Sequence, residues 1–311
     1  MRITQSFEDL LTESAEEEPC LIEPGILPFS GKMILYGAPK SYKSMMVMQL
    51  AFEVANGFPW VGRFPTAQGK VVYLQCEIGR GEFRDRLRKM WIAYPDTPQE
   101  TLYHLTSKTL RASLSDAQFG RLLDDLDAIR PSLLIVDPQW KTLLGDENNG
   151  NDLRDYYNMM DAITESVGCA IVIVTHRRKS QRGDGGPPLD MGFQELKGSS
   201  RQVDWPDAIV RLTKGKDKSV LKFEALRNAE EPDPVVLTFD VTTLTHGGQE
   251  KEVEKAIREM LDAPVLLGTL LDTLEGQGFS RSTVNRALAR MEDVVRESAG
   301  GAAKRVRRKD E

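Results

Sequence analysis

The chain predicts an α/β fold: a doubly wound, mostly parallel sheet with an antiparallel extension, followed by a small helical domain. Three observations carry this. Between residues 31 and 245, short β-branched apolar runs alternate with amphipathic segments of helical spacing, the signature of successive βαβ units. The runs are almost continuously apolar, as parallel strands covered on both faces require. Past residue 246 the pattern turns purely helical.

Taken in order, residues 1–19 form an acidic segment, with Glu8, Asp9, Glu13, Glu16, Glu17 and Glu18 and no base between residues 8 and 18. It has no apolar stretch of the kind a secretory signal needs. Residues 20–246 form the α/β domain. Its expected strands are Met33–Tyr36, Val71–Cys76, Leu133–Asp137 and Cys169–Thr175, and its helices Lys43–Ala55, Gly81–Trp91, Asp116–Ile129 and Leu153–Val167. Ser115 suits an N-cap, and Phe119, Leu122, Leu123 and Leu126 behind it recur at helical intervals. The stretch Arg177–Lys197 is rich in Gly, Pro and charge, the composition of a functional or mobile loop. Ala208–Leu212, Val220–Leu226, Val235–Phe239 and Val241–Leu244 read as strands with tight turns, the antiparallel extension.

His246-Gly247-Gly248 reads as a linker to a second domain at 250–298. There Val253, Ala256, Ile257, Met260 and Leu261 trace one helix, a second begins near Pro264, and Ser280 caps a third. Residues 299–311 read as a disordered basic tail, in which Lys304, Arg305, Arg307, Arg308 and Lys309 either lie along phosphates or simply stay solvated.

Composition narrows the function classes. Hydrophobic residues make up 40% and charged residues 28% of 311, which excludes wholesale disorder. The longest apolar runs, such as Cys169–Val174, are far shorter than the ~20 residues of a membrane span. Cys20, Cys76 and Cys169 are too scattered for a disulfide framework or a metal cluster. The expectation is a soluble, cytoplasmic protein without a membrane partner. A net charge of −6 does not exclude nucleic acid, because the bases are concentrated in a few segments.

The sharpest motif is Gly37-Ala38-Pro39-Lys40-Ser41-Tyr42-Lys43-Ser44, between an expected strand and an expected helix. That context is the one a P-loop needs. Backbone N–H groups and the positive helix end cradle a β-phosphate, Lys43 reaches the β- and γ-phosphates, and the Ser44 hydroxyl ligates Mg²⁺. ATP and Mg²⁺ are therefore the expected ligands. Tyr42 stands where the pattern has its last glycine, a position whose backbone geometry bulky residues resist. Leu133-Leu134-Ile135-Val136-Asp137 is an apolar strand ending in a carboxylate, the Walker B pattern, which places Asp137 to hold the metal. Glu77, after Val71–Cys76, reads either as a base for an attacking water or as a solvated acid opening a loop.

Together, their order and spacing resemble the RecA/DnaB class of P-loop ATPases, and among these the RepA-type hexameric replicative helicases of plasmids and phages. The resemblance spans about residues 20–245 and implies a RecA-like fold. It implies that Glu77, in Tyr-Leu-Gln-Cys-Glu, is the catalytic glutamate. It makes His176, at the end of the fourth strand, the sensor of the γ-phosphate, and puts Arg177, Arg178, Lys179 and Arg182 in the DNA-contacting loop. Gly198-Ser199-Ser200 followed by Asp204 resembles the family's segment before the fifth core strand. Leu226-Arg227-Asn228 resembles its K-x-R-N signature, so Arg227 is the arginine finger offered to a neighbouring subunit, although Ala225 occupies the signature's lysine position. The resemblance further implies single-stranded DNA as a partner and self-association into a homohexamer or another ring.

Residues Gly278 to Leu288 resemble the turn and recognition helix of winged helix-turn-helix domains. Arg281, Thr283, Asn285, Arg286 and Arg290 would then face duplex DNA, and Val294-Val295 would start the wing. A helical bundle packing on the core is the alternative. Three functions fit: a ring-forming DNA motor, a DNA-binding ATPase that does not unwind, and a nucleotide-gated assembly module.

Overall fold

The computed structural model describes residues 7, 19–106, 116–147, 149–176, 192, 196, 201–216, 218–277, 281–291, 293–298 and 304–309. The acids of the expected N-terminal segment, the basic residues Arg177, Arg178, Lys179 and Arg182, and Gly198–Ser200 lie outside them.

A short hairpin of β1 (Cys20–Ile22) and β2 (Leu27–Pro28) precedes the core. Five of the core strands are β3 (Lys32–Gly37), β4 (Val71–Gln75), β5 (Leu102–Thr106), β6 (Leu133–Asp137) and β7 (Ala170–His176). The others are β8 (Ala208–Lys214), β9 (Ser219–Leu226), β10 (Val235–Asp240) and β11 (Thr245–Gly248). They form one nine-stranded sheet in the order β11-β10-β9-β8-β3-β7-β6-β4-β5. From β8 to β5 every pairing is parallel; β8 to β11 pair antiparallel. The expected parallel core with an antiparallel extension is thus present.

Alternation along the strands sorts the core into two layers. Met33, Leu35, Val71, Leu133 and Val172 point to one face, where α1 (Lys43–Asn56) and α2 (Arg80–Trp91) cover them. Ile34, Val72, Leu134, Val136 and Ile173 point to the other, beneath α3 (Asp116–Ile129) and α5 (Gly150–Val167). A four-residue turn of helix, α4 (Gln139–Thr142), follows β6, and another, α6 (Arg201–Asp204), precedes β8. Helix α1 is buried along nearly its whole length and stops at Gly57, whose left-handed φ of 68° lets its N–H cap Glu53 and Val54.

Three sequence expectations need correction. Val241–Leu244 is a turn, and the last strand is β11, further along. His246 is therefore no linker residue: it is 3% exposed, and its backbone N–H and C=O both bond the Gln49 side chain of α1. The basic segment Lys304–Arg308 is no disordered tail but a strand, β14. It pairs antiparallel with β13 (Val294–Ser298) and with β12 (Val265–Leu266), in the order β12-β14-β13. With α7 (Gln249–Met260), α8 (Leu267–Gly276) and α9 (Arg281–Arg290), it completes a small α/β unit around Val253, Ile257, Leu270, Leu274, Val284 and Val306.

Candidate functional site

The site is built at the carboxyl ends of the parallel strands, where β3 lies between its neighbours β7 and β8. The chain leaves β3 at Gly37, where a Cβ would stand 2.3 Å from the Leu212 carbonyl oxygen of β8, so only glycine lets the two strands approach. Lys40 and Tyr42 then take left-handed φ values of 62° and 67°. This tight turn, running into the N-terminus of α1, is the backbone of an anion nest. Lys43 is buried and donates from Nζ to the carbonyls of Gly37 (3.0 Å) and Ala38 (2.8 Å), which folds its ammonium back over the loop. The buried Ser41 hydroxyl has no partner among the described residues.

Tyr42 is the departure from the glycine pattern, and contacts from the antiparallel extension support it there. Its ring stacks on Phe239 of β10 at 4.0 Å and 13°, and the Lys214 ammonium at the end of β8 lies 4.0 Å from its centroid. His246 of β11 packs edge-on at 6.2 Å.

Asp137, ending β6, is 1% exposed. It accepts a hydrogen bond from the Tyr73 hydroxyl (2.7 Å), and the Ser44 side chain lies close enough to favour its charge. Burial raises its pKa and the Glu77 charge adds to this, while the two hydroxyls and Lys43 oppose it. A hydroxyl and a desolvated carboxylate side by side are hard oxygen donors that suit Mg²⁺. No cluster of three or more His, Cys, Asp or Glu suited to a metal occurs among the described residues.

Strand β7 runs between β3 and β6 and sets His176 level with Gly37. Burial, then the Lys43 charge, depress the His176 pKa to about 4, so the ring is neutral near pH 7, and its buried Nδ1 has no partner among the described residues. Glu77 lies two residues beyond the end of β4, exposed, its backbone N–H held by the Gln75 side chain (2.6 Å).

The structure thus brings Gly37–Ser44, Asp137, His176 and Glu77 to one rim of the sheet. A chain belonging to a known family should show it in this loop-bearing half, and a model of the AAA_25 family, described as an AAA domain, matches residues 1–182. The chain belongs to the AAA_25 family. Solved structures agree on the fold of this AAA_25 chain. One of them, an ATPase domain, aligns with a TM-score of 0.50 at 13% identity, covering 70% of this chain and 84% of that one. The KaiC-like protein PH0186 from Pyrococcus horikoshii OT3 aligns with a TM-score of 0.50 at 14% identity, covering 73% and 93%. The chain is a P-loop ATPase of the AAA_25 family with a RecA-like fold.

Arg227 is not in this cluster. It follows β9 at the opposite end of the sheet, where it pairs with Asp207 (2.9 Å) and donates to the Asp204 carbonyl (3.2 Å). Arg281 and Asn285 lie on α9 of the C-terminal unit. Arg281 is tied to Asp272 and to Glu275 of α8, and Asn285 donates to the Arg281 carbonyl. The side chains of Thr283, Arg286 and Arg290 lie outside the described ones. Sequence reasoning missed Tyr73, Lys214 and Phe239. A tyrosine amid the aliphatic residues of Val71–Gln75 was the available signal for the first; the other two are near Tyr42 only through the fold.

Among the described residues, no helix is long and apolar enough to cross a membrane.

Proposed function

We propose that this chain is a Mg²⁺-dependent, DNA-binding ATP motor that works as a ring, a RepA-type replicative helicase of a mobile element. The observation that carries the reading is the convergence of the Lys43-bearing nest, the Ser44–Asp137 pair and the orphaned His176 nitrogen on one rim. The nest and Lys43 hold the β- and γ-phosphates. Ser44 and Asp137 hold the metal, which when bound neutralises phosphate charge. Glu77 takes the proton of the attacking water. His176, neutral and lacking a partner at Nδ1, accepts or donates a hydrogen bond at the γ-phosphate and so reports its loss.

Arg227 supplies its charge to a neighbour's site, and the basic residues Arg177, Arg178, Lys179 and Arg182 track single-stranded phosphates. The order helix, strand, helix, helix, hairpin in the C-terminal unit supports a winged helix reaching duplex DNA through Arg281, Asn285 and Arg286. That unit also supports a second reading, a loader or other accessory ATPase that binds DNA without unwinding it.

The experiment is hydrolysis and strand displacement on a forked duplex by wild type, Lys43→Ala and Glu77→Gln. The motor reading expects both activities in wild type and neither in Lys43→Ala. Glu77→Gln is expected to keep nucleotide binding and lose about 100-fold or more in turnover. DNA-stimulated hydrolysis without displacement selects the accessory reading, and equal turnover in wild type and Glu77→Gln leaves only an assembly switch.

A further inference from the structure

Helix α2 has two unlike faces. Phe83 and Met90 point inward and are buried. Arg80, Arg84 and Arg88 recur every fourth residue and form one exposed stripe on the outside. The stripe ends on Trp91, 42% exposed, and on Ile92 just past the helix, 64% exposed. Trp91 packs edge-on against Phe52 (5.5 Å), Phe52 stacks on Tyr94, and Tyr94 leads to the exposed Phe58 (6.4 Å). Along α2, Arg80, Arg84, Arg86, Arg88 and Lys89 stand against only Glu82 and Asp85. Arg84 and Arg88 share Asp85, at 4.0 and 3.4 Å, and Arg80 makes no ion pair among the described residues. Positive charge and apolar surface are thus left over together on one helix face.

The complementary surface lies across the sheet. Glu230-Glu231-Pro232-Asp233-Pro234 joins β9 to β10. Its three carboxylates are exposed and make no ion pair among the described residues. Glu231 and Asp233 each precede a proline, which holds them extended, and the Asp233 carbonyl accepts from Arg63 (3.3 Å). A turn stiffened in this way loses little freedom on docking, and its prolines suit an aromatic ring. Five strand spacings separate β9 from β4, the strand that leads into α2, roughly 24 Å at about 4.8 Å each. Turn and helix of one chain are too far apart to meet; those of two copies are free to.

We infer that the outer face of α2 is the docking site for the Glu230–Pro234 turn of a second copy of this chain, with the carboxylates on the arginine stripe and the prolines on Trp91. The two surfaces differ, so the contact is head-to-tail, the kind that closes a ring or extends a filament. Arg227 lies three residues before the turn, and α2 begins three residues after Glu77. The same contact therefore brings the finger of one copy to the side of its neighbour that bears Glu77. The inference deepens the ring reading above and rests on it.

The test is sedimentation velocity of the full chain over a range of concentrations, with a non-hydrolysable ATP analogue and magnesium. Arg84→Glu with Arg88→Glu, and separately Glu230→Arg with Glu231→Arg, set like charges against each other. Each pair is expected to raise the dissociation constant at least about 10-fold. All four substitutions in one chain restore opposite charges, and assembly is expected to return to within about 3-fold of wild type. Where a reversal lowers the melting temperature, Glu230→Gln with Glu231→Gln, which adds no new charge, is expected to weaken assembly in the same direction. Wild-type association in either reversal overturns the inference while the ring reading stands. So does a four-substitution chain as weak as the single-surface variants. An α2 reversal that abolishes oligonucleotide binding and leaves assembly intact assigns the stripe to nucleic acid and overturns the inference as well. A wild type that stays monomeric with the analogue and magnesium overturns the ring reading, and the inference with it.

Discussion

At position 42 a steric demand and a packing gain oppose each other. The left-handed backbone of Tyr42 costs a side chain with a Cβ about 1–2 kcal/mol, which is why the motif ordinarily has glycine there. Against this stand the stack on Phe239 and the Lys214 ammonium over the ring, contributing about 0.5–1.5 and 0.5–1 kcal/mol respectively. The terms nearly cancel, so the loop keeps its nest without the glycine. The balance predicts an ordering among variants. Tyr42→Gly loses the contacts but also the strain, and is expected to stay within about 1 kcal/mol of wild type. Tyr42→Ala keeps the strain and loses the contacts, and is expected to be less stable than Tyr42→Gly by about 1 kcal/mol. Urea unfolding of the three proteins decides it: an alanine variant as stable as the glycine one would mean that the left-handed backbone carries no strain for the ring contacts to offset.

Elements buried on both faces announce themselves in the sequence, and those that depend on distant partners do not. Leu133–Asp137 and Asp116–Ile129 have the same bounds in sequence and structure, because an apolar run in a central parallel strand and an apolar stripe on a helix are local patterns. Strand β5 carries no such pattern. It lies at the sheet edge, its residues half-exposed, and Leu-Tyr-His-Leu-Thr has no strong period. Strand β14 escapes a sequence reading for a related reason: Lys-Arg-Val-Arg-Arg has one apolar residue, and only its pairing with β12 and β13 gives that residue a core to enter. In the site, the Gly37–Ser44 loop and Asp137 are legible from spacing, whereas the Tyr42 stack joins residues almost 200 positions apart. The β14 correction is testable. Val306 is 0% exposed, and burying a valine contributes about 1.5–3 kcal/mol. Val306→Asp is therefore expected to melt the C-terminal unit, seen as new proteolytic cleavage between residues 249 and 298, while the P-loop domain stays protected. A tail would tolerate the change without any new cleavage.

Across the whole molecule, the position of Arg227 sets a distance that its own site cannot bridge. Asp207, its ion-pair partner, receives the backbone N–H of Lys32 at the start of β3, and Gly37 lies at that strand's far end. Five residues of strand span roughly 17 Å at about 3.3 Å each, more than an arginine side chain covers. If Arg227 touches a γ-phosphate, that phosphate belongs to another copy of the chain, and each catalytic unit is shared between two subunits. Mixing then separates this from a purely structural role. If Lys43 serves its own subunit's site and Arg227 a neighbour's, Lys43→Ala and Arg227→Ala are each expected alone to hydrolyse ATP at about 1% of the wild-type rate or less. In mixed assemblies some interfaces join an intact Lys43 on one subunit to an intact Arg227 on the next, and activity is expected to return to a sizeable fraction of wild type. The recovery should grow with total protein concentration, since it needs assembly. Two inactive variants that stay inactive at every mixing ratio would place Arg227 outside the reaction, leaving the Asp207 ion pair as its whole contribution.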